Sequence, residues 1–128
     1  MSPGKKRILV VDDDVNILRG FKSILEREGY KVETAETGKA ALERIKKGKF
    51  DVCLVDVRLP DMDGTEILLK MADDPKTVKI IVTGFPSEEV GKKAADYGAD
   101  DFLVKPVQPA ELIATVRERI ISKNEAGN

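Results

Sequence analysis

The sequence predicts a single α/β domain in which helices cover both faces of a parallel sheet. Five short apolar segments alternate along 128 residues with five segments of helical periodicity. The run 52–56 is continuously apolar until its last residue, which suits a strand buried on both faces. A chain of this length holds one hydrophobic core but not two. Right-handed crossovers between such strands give a doubly wound, parallel sheet.

The predicted strands are short, and most end in polar residues. The first, 7–11, stops at three adjacent acids, which cannot lie within a buried strand. The second, 31–35, is half polar, as expected near a sheet edge. The remaining predicted strands are 52–56, 78–82 and 101–104.

Each predicted strand is followed by a helix, and most of these helices have recognisable ends. Thr37 and Ser87 can cap the second and fourth helices, and Pro109 suits the first turn of the last. The glycines that end the first, second and fourth helices are Gly29, Gly48 and Gly98. We expect a domain over residues 6–121 and a flexible polar tail over 122–128.

Composition excludes several classes of site. The chain has no histidine, which rules out a Ser–His–Asp or Cys–His nucleophile and a histidine-based zinc site. Its one cysteine, Cys53, lies in an apolar run, so we expect it to be buried, and the absence of a disulfide fits a reducing cytoplasm. A net charge of −1 and the lack of a bilayer-length apolar run favour neither nucleic acid nor membrane as the main partner.

Polar side chains follow four of the five strands. Asp12 and Asp13 follow the first, Asp56 ends the third, Thr83 follows the fourth and Lys105 the fifth. In a parallel sheet these ends share one edge. Three carboxylates repel one another unless a hard cation such as Mg²⁺ joins them, and the lysine and hydroxyl suit an anion. The set predicts phosphoryl transfer to Asp56.

Five motifs, in this order and spacing, resemble the receiver domains of two-component response regulators. The resemblance covers residues 6–121, and the motifs occupy residues 8–13, 54–56, 59–64, 81–84 and 105–106. It implies a flavodoxin-like sheet of order 2-1-3-4-5 and a cis peptide at Lys105-Pro106.

The resemblance also implies a role for each site residue. Asp56 would be the phosphoacceptor, and it would bind Mg²⁺ together with Asp12, Asp13 and the backbone carbonyl of Arg58. Thr83 would supply the switch hydroxyl, and Lys105 would bind the phosphate. Phe102 would be the aromatic switch residue. Phe102 stands where tyrosine is frequent in the family and Gly84 where alanine is frequent, which affects the form of the switch.

The family resemblance implies partners as well. The donor would be a histidine kinase, a phosphotransfer protein or a small phosphodonor. The surface of the fourth helix, fifth strand and fifth helix would control a downstream protein or an output domain, and a homodimer through that surface is possible. Such a domain is a regulatory phosphoacceptor, with only stoichiometric self-phosphorylation and slow self-dephosphorylation, rather than an enzyme.

Simpler interpretations stand beside these. Asp14 alone is best explained as a helix cap, and Thr83 or Lys105 taken singly as an ordinary strand-end residue. A haloacid-dehalogenase-type phosphatase would use an Asp-x-Asp such as Asp12–Asp14, but its pattern continues with threonine or valine where this chain has Asn16. A flavin-binding module of the same topology is disfavoured because three acids after the first strand would repel the flavin phosphate.

Overall fold

The computed structural model describes residues 4–126, in which five strands and five helices alternate without interruption. Each segment predicted as a strand forms one; β3 and β4 are buried on both faces, whereas β2 and β5 at the two edges are only partly buried. The elements are β1 (Arg7–Val11), α1 (Val15–Arg27), β2 (Lys31–Ala35), α2 (Gly38–Lys47), β3 (Val52–Asp56), α3 (Thr65–Lys70), β4 (Val78–Thr83), α4 (Glu88–Asp96), β5 (Asp101–Val104) and α5 (Pro109–Ala126).

All strands are parallel, and their order is β2-β1-β3-β4-β5. This confirms both the predicted fold class and the implied strand order. Val11 pairs with Val55, and Asp56 pairs with Val82, so the carboxyl ends of the three inner strands are level. The register therefore brings the residues that follow β1 and the last residue of β4 to the same edge as Asp56.

The apolar core consists of two layers, one on each face of the sheet. Along β3, Val52 and Leu54 join the layer that contains residues of α1 and α5. Cys53 and Val55 join the layer beneath α2, α3 and α4. Every residue of β3 is buried, which holds the end of this strand rigidly. Cys53 is fully buried, as the sequence predicts, and this burial raises the pKa of its thiol to about 12.

The predicted caps at the starts of α2 and α4 form. Thr37 Oγ1 accepts a hydrogen bond from Ala40 N at 3.0 Å, and Ser87 Oγ accepts one from Val90 N at 3.1 Å. Each hydroxyl satisfies an N–H of the first helical turn that has no partner within the helix. Left-handed backbone follows α1 and α4 at Gly29 (φ 93°) and Gly98 (φ 101°).

Helix α5 is longer than the sequence indicates. It continues through Ala126, so the segment 122–126 of the predicted tail is helical, while residues 127 and 128 lie outside the described part of the chain. Within residues 4–126, no helix combines the length and apolar character that crossing a bilayer requires.

Candidate functional site

The site is built around Asp56, the last residue of β3, whose side chain is almost fully buried at the carboxyl edge of the sheet. The chain turns sharply after it, and Gly64 N donates a hydrogen bond to Val57 O at 2.7 Å. A Cβ atom on Gly64 would lie 1.8 Å from the Asp56 carbonyl oxygen. Only glycine therefore allows the β3–α3 loop to approach the Asp56 backbone this closely.

Two further carboxylates lie beside Asp56. Asp12 is buried, Asp13 is exposed, and one oxygen from each of the three acids lies within 4.8 Å of the others. Oxygen donors at this spacing fit a single hard cation, for which Mg²⁺ commonly uses one or two carboxylates and retains waters. The structure thus brings together the three acids that the sequence predicts to form a metal site.

Lys105 extends its ammonium into the same cluster. Its Nζ atom lies 2.6 Å from Asp12 Oδ2 and 3.4 Å from Asp56 Oδ2. Burial by itself would lower the pKa of Lys105, but the Asp12 and Asp56 carboxylates outweigh that effect and leave the pKa raised. Lys105 therefore stays positively charged at neutral pH. The peptide bond from Lys105 to Pro106 is cis, as the family resemblance implies.

Asp56 itself has a raised pKa. Burial is the largest cause, followed by the neighbouring Asp12 carboxylate, while Lys105 and the backbone N–H of Arg58 act in the opposite direction. That N–H lies 3.4 Å from Asp56 Oδ1. A second cation beside Asp12 and Asp56 would relieve the repulsion between the two carboxylates.

Thr83 ends β4 at the same edge and is 1% exposed. Its hydroxyl accepts a hydrogen bond from Phe85 N at 3.1 Å, and its carbonyl accepts one from Lys105 N at 2.8 Å. Because the Oγ1 atom accepts in this contact, the hydroxyl proton remains able to donate to another oxygen.

Asp14 does not belong to the acidic cluster. Its carboxylate accepts a hydrogen bond from Asn16 N at 2.8 Å and so caps α1, which confirms the simpler interpretation of this residue. The Asp14 N–H donates in turn to Asp12 Oδ1 at 2.9 Å. The acidic turn after β1 thus starts α1 and orients Asp12.

Phe102 lies on β5 and takes no part in the hydrogen bonds of the acidic cluster. Its half-buried ring packs against the core layer that α2, α3 and α4 cover, where Val90 and Tyr97 of the α4 segment also pack. Its role as a switch residue stays a prediction.

Three contacts around the β3–α3 loop were not anticipated from the sequence. The first is a stack at the rim of the site, where the Arg58 guanidinium carbon lies 3.9 Å from the centre of the Phe85 ring. Phe85 is 61% exposed, so this cation–π contact covers one face of a ring that otherwise meets solvent. The two residues lie on different loops, and no spacing in the sequence pairs them.

The second contact ties the loop to α2. Asp61 accepts hydrogen bonds from Gly38 N at 2.8 Å and from Lys39 N at 2.9 Å, and the bond from Gly38 is the main reason why the pKa of Asp61 is lowered. A Cβ atom on Gly38 would lie 2.1 Å from Met62 Sδ, so loop and helix are in close contact. The loop that carries the Arg58 carbonyl is therefore anchored at its far side.

The third contact ties the loop to α4. Lys93 Nζ lies 2.8 Å from Asp63 Oδ2, and the other oxygen of Asp63 accepts from Thr65 N at 2.9 Å. Asp61 and Asp63 lie within the motif 59–64, but their partners are distant in the sequence, so a motif cannot reveal their contacts.

Fold and site together define a class: a doubly wound α/β domain with an acidic, cation-competent cluster at the carboxyl ends of its strands. Comparison with known proteins identifies the family. Residues 8–117 match the family described as response regulator receiver domain. The chain belongs to this family.

Relatives and solved structures agree. "Response regulator ArlR" of Staphylococcus saprophyticus is 38% identical over 112 residues, which cover 87% of this chain and 50% of that protein. A CheY-like response regulator receiver domain protein from Methanospirillum hungatei has a TM-score of 0.93 at 42% identity and covers 96% of this chain and 99% of its own. The beryllofluoride-activated NtrC4 receiver domain dimer has a TM-score of 0.86 at 36% identity, covering 91% and 98%. The chain spans about half the length of the curated relatives it matches.

Proposed function

We propose that this chain is a phosphorylation-dependent switch whose phosphoacceptor is Asp56. The observation that carries the proposal is the meeting of Asp12, Asp13 and Asp56 within 4.8 Å, with Lys105 Nζ in contact with two of the three. An Asp56 oxygen attacks the donor's phosphorus, the bond from phosphorus to the donor breaks, and an aspartyl phosphate forms. Family membership and the activated state of a related receiver domain support this chemistry.

We propose Mg²⁺ as the cofactor of this site. The candidate ligands are oxygens of Asp12, Asp13 and Asp56 and the backbone carbonyl of Arg58, all of them hard donors. When bound, Mg²⁺ would offset the negative charge on the transferring phosphoryl group. The anchoring of the β3–α3 loop by Asp61 supports the inclusion of Arg58, because it limits movement of the loop.

The phosphoryl group would be held by two further side chains. Lys105 supplies a positive charge that its raised pKa maintains, and Thr83 supplies a hydroxyl donor at the end of the neighbouring strand. Movement of the Thr83 hydroxyl toward the phosphoryl oxygens would weaken its hydrogen bond with Phe85 N and so change the start of the β4–α4 loop. Phosphorylation thereby acts on α4 and on the ring of Phe102.

The donor we propose is a histidine kinase, a phosphotransfer protein or a small phosphodonor, since the chain has no histidine of its own. The output is a change in the surface formed by α4, β5 and α5, which would act on a downstream protein or on an output domain. The dimer of the related NtrC4 receiver domain supports homodimerisation as a further consequence. The single buried cysteine supports a cytoplasmic location.

The test is phosphorylation by a small phosphodonor in the presence of Mg²⁺, followed by intact-mass measurement. We expect one phosphoryl group per chain, dependent on Mg²⁺, and none in Asp56→Asn. Asp96→Asn, a change at an exposed acid of α4, serves as the control and keeps the adduct. An adduct that forms equally well in Asp56→Asn would overturn the proposal.

The phosphatase alternative is less well supported. It requires the third acid after β1 to act in the site, whereas Asp14 caps α1. Phosphate release from a generic phosphate monoester, measured beside the intact-mass assay, separates the two functions, because a phosphatase turns over repeatedly and a receiver domain accumulates one adduct.

A further inference from the structure

Strand β2 is at the edge of the sheet, and its outer side is unpaired among residues 4–126. The N–H of Lys31 and the carbonyl of Ala35 bond to residues at the two ends of β1. Backbone groups of alternate residues in a parallel strand point to opposite sides. The N–H and C=O groups of Val32 and Thr34 therefore point away from β1, toward the open edge. Thr34 is half-buried and Val32 is 5% exposed, so Thr34 offers the more accessible pair of groups.

A groove of about 590 Å³ lies between α1 and α2 at the carboxyl end of this edge, where Thr34 and Ala35 line it. Apolar residues of α1, β2 and α2 line the groove together with three exposed cations, which we call its rim. Arg19 and Lys22 belong to α1 and Arg44 to α2, and among residues 4–126 the only acid that lines the groove is Glu36. Since the whole chain has a net charge of −1, this positive rim is a local feature.

The three cations of the rim differ in whether they already form an ion pair. Arg44 Nη1 lies 2.9 Å from Glu33 Oε1 and is therefore already neutralised in part. Arg19 and Lys22 are exposed and form no ion pair within the described part of the chain. The α1 side of the groove is thus the stronger attractor for a negative charge.

We propose that this groove binds an extended acidic segment of a partner protein, which adds to the sheet as a strand beside β2. Strand addition pairs the outward N–H and C=O groups of Val32 and Thr34, and alternate side chains of the segment point to opposite faces. Acidic side chains on the face toward α1 meet Arg19 and Lys22. The intervening side chains lie on the α2 face, where Glu33 already pairs with Arg44. None of these residues belongs to the Asp56 cluster, so the proposal does not depend on phosphorylation.

The unpaired backbone of the β2 edge and the small number of rim cations together favour a peptide over a polyanion such as nucleic acid. A nucleic acid backbone has no regular series of N–H donors at strand spacing, so it leaves the C=O groups of the β2 edge unpaired. Nucleic acid binding also generally relies on a larger basic surface than three rim cations.

The test uses the whole chain, labelled with ¹⁵N, and a blocked eight-residue peptide in which glutamate alternates with valine. Amide hydrogen exchange is followed as the peptide is added. We expect new protection at the outward N–H groups of Val32 and Thr34. The N–H groups of Lys31, Glu33 and Ala35 already face β1, so their exchange changes much less. Protection that spreads equally over both sets, or appears in neither, would overturn the strand-addition geometry.

Charge reversal tests the cationic rim. We expect the double variant Arg19→Glu/Lys22→Glu to weaken peptide binding by roughly tenfold or more, because attraction becomes repulsion. The matched control is Lys76→Glu/Lys92→Glu, which changes net charge equally at exposed sites away from the groove and leaves affinity within about twofold. Amide spectra of both variants establish that each is folded.

Three other outcomes would contradict the proposal. The first is equal weakening in the control pair, which would make the attraction non-specific. The second is tighter binding of a single-stranded oligonucleotide or an anionic vesicle at the same amides. The third is concentration-dependent protection of Val32 and Thr34 without peptide, which would assign the edge to a second copy of this chain.

Discussion

Lys105 Nζ lies 2.6 Å from Asp12 Oδ2, so one carboxylate of the acidic cluster is neutralised by the protein's own lysine. The same ammonium is farther, 3.4 Å, from Asp56 Oδ2. A cation that binds at Asp12 must therefore share that carboxylate with Lys105. This arrangement links metal binding to the position of the lysine that is proposed to hold phosphate.

Removal of the Lys105 charge tests this competition. In Lys105→Met we expect Mg²⁺ to bind about fivefold more tightly, since the metal no longer shares Asp12 with an ammonium. Phosphorylation by a small phosphodonor should become slower in the same variant. A Mg²⁺ titration followed by amide chemical shifts measures the affinity, and Lys76→Met, at an exposed lysine, is the control. Unchanged or weaker Mg²⁺ binding in Lys105→Met would show that no competition exists.

The close approach of Gly64 to Asp56 gives a second test. Gly64→Ala places a Cβ atom 1.8 Å from the Asp56 carbonyl oxygen, so the backbone must move. We expect a loss of about 3 kcal/mol in the free energy of unfolding, together with slower phosphorylation. Urea denaturation measures the first effect and intact mass the second.

A glycine with free space around it provides the control for Gly64. Gly20 lies inside α1, and a Cβ atom there meets nothing within 4 Å. Gly20→Ala should raise the free energy of unfolding by about 0.5–1 kcal/mol, because alanine favours the helix. If Gly64→Ala and Gly20→Ala changed the free energy of unfolding by the same amount, the close contact at Gly64 would not affect stability.

The ion pairs of Glu33 predict a dependence of stability on pH. A hydrogen bond from Arg7 is the largest cause of the lowered pKa of Glu33, and Arg44 contributes as well. A lowered pKa in the folded state means that ionised Glu33 stabilises the fold above its unfolded pKa of about 4.3. That contribution is lost as the pH falls through the folded-state value.

The variant Glu33→Gln measures this contribution. At neutral pH we expect it to be less stable than the parent by about 1 kcal/mol, a value kept small by the partial exposure of the pair. Urea denaturation at a series of pH values measures the difference in the free energy of unfolding between the two proteins. That difference should shrink as the pH falls below about 4. Glu43→Gln, at an exposed acid of α2, should show no comparable difference. A constant gap between Glu33→Gln and the parent at every pH would contradict the assignment.

The Lys93–Asp63 contact predicts that α4 is held by the β3–α3 loop. In Lys93→Met we expect faster amide hydrogen exchange along α4, since the 2.8 Å ion pair to Asp63 is lost. Lys92→Met changes the neighbouring lysine, which is exposed and has no ion pair in the described residues, and should leave exchange unaltered. Equal effects of the two substitutions would mean that helix surface charge, not the contact with Asp63, controls α4.

Much of the architecture follows from local patterns in the sequence. The apolar run 52–56 predicts a strand buried on both faces, and β3 is one. Thr37 and Ser87 predict helix caps because a hydroxyl needs only the N–H three residues ahead, which local backbone geometry supplies. The grouping of Asp12, Asp13 and Asp56 follows once parallel strands are inferred, because their carboxyl ends share an edge.

The end of α5 shows where a local pattern is insufficient. The mostly polar composition of residues 122–128 predicts a flexible tail, yet the helix continues through residue 126. Lys123 bonds to the Pro75 carbonyl at 2.8 Å and pairs with Asp100 at 3.0 Å, so contacts with distant loops accompany the extra turn. The composition of a terminal segment does not reveal contacts with residues that are distant in the sequence.

The sequence by itself determined the alternation of strands and helices, the helix caps and the edge at which the acids meet, because periodicity and capping act over a few residues. Only the tertiary structure decided which partners these side chains take. Lys105 lies nearer Asp12 than Asp56, Asp61 binds the start of α2, and the edge of β2 faces a cationic groove. These contacts join residues far apart in the chain, so they depend on how helices pack on the sheet, which periodicity does not specify.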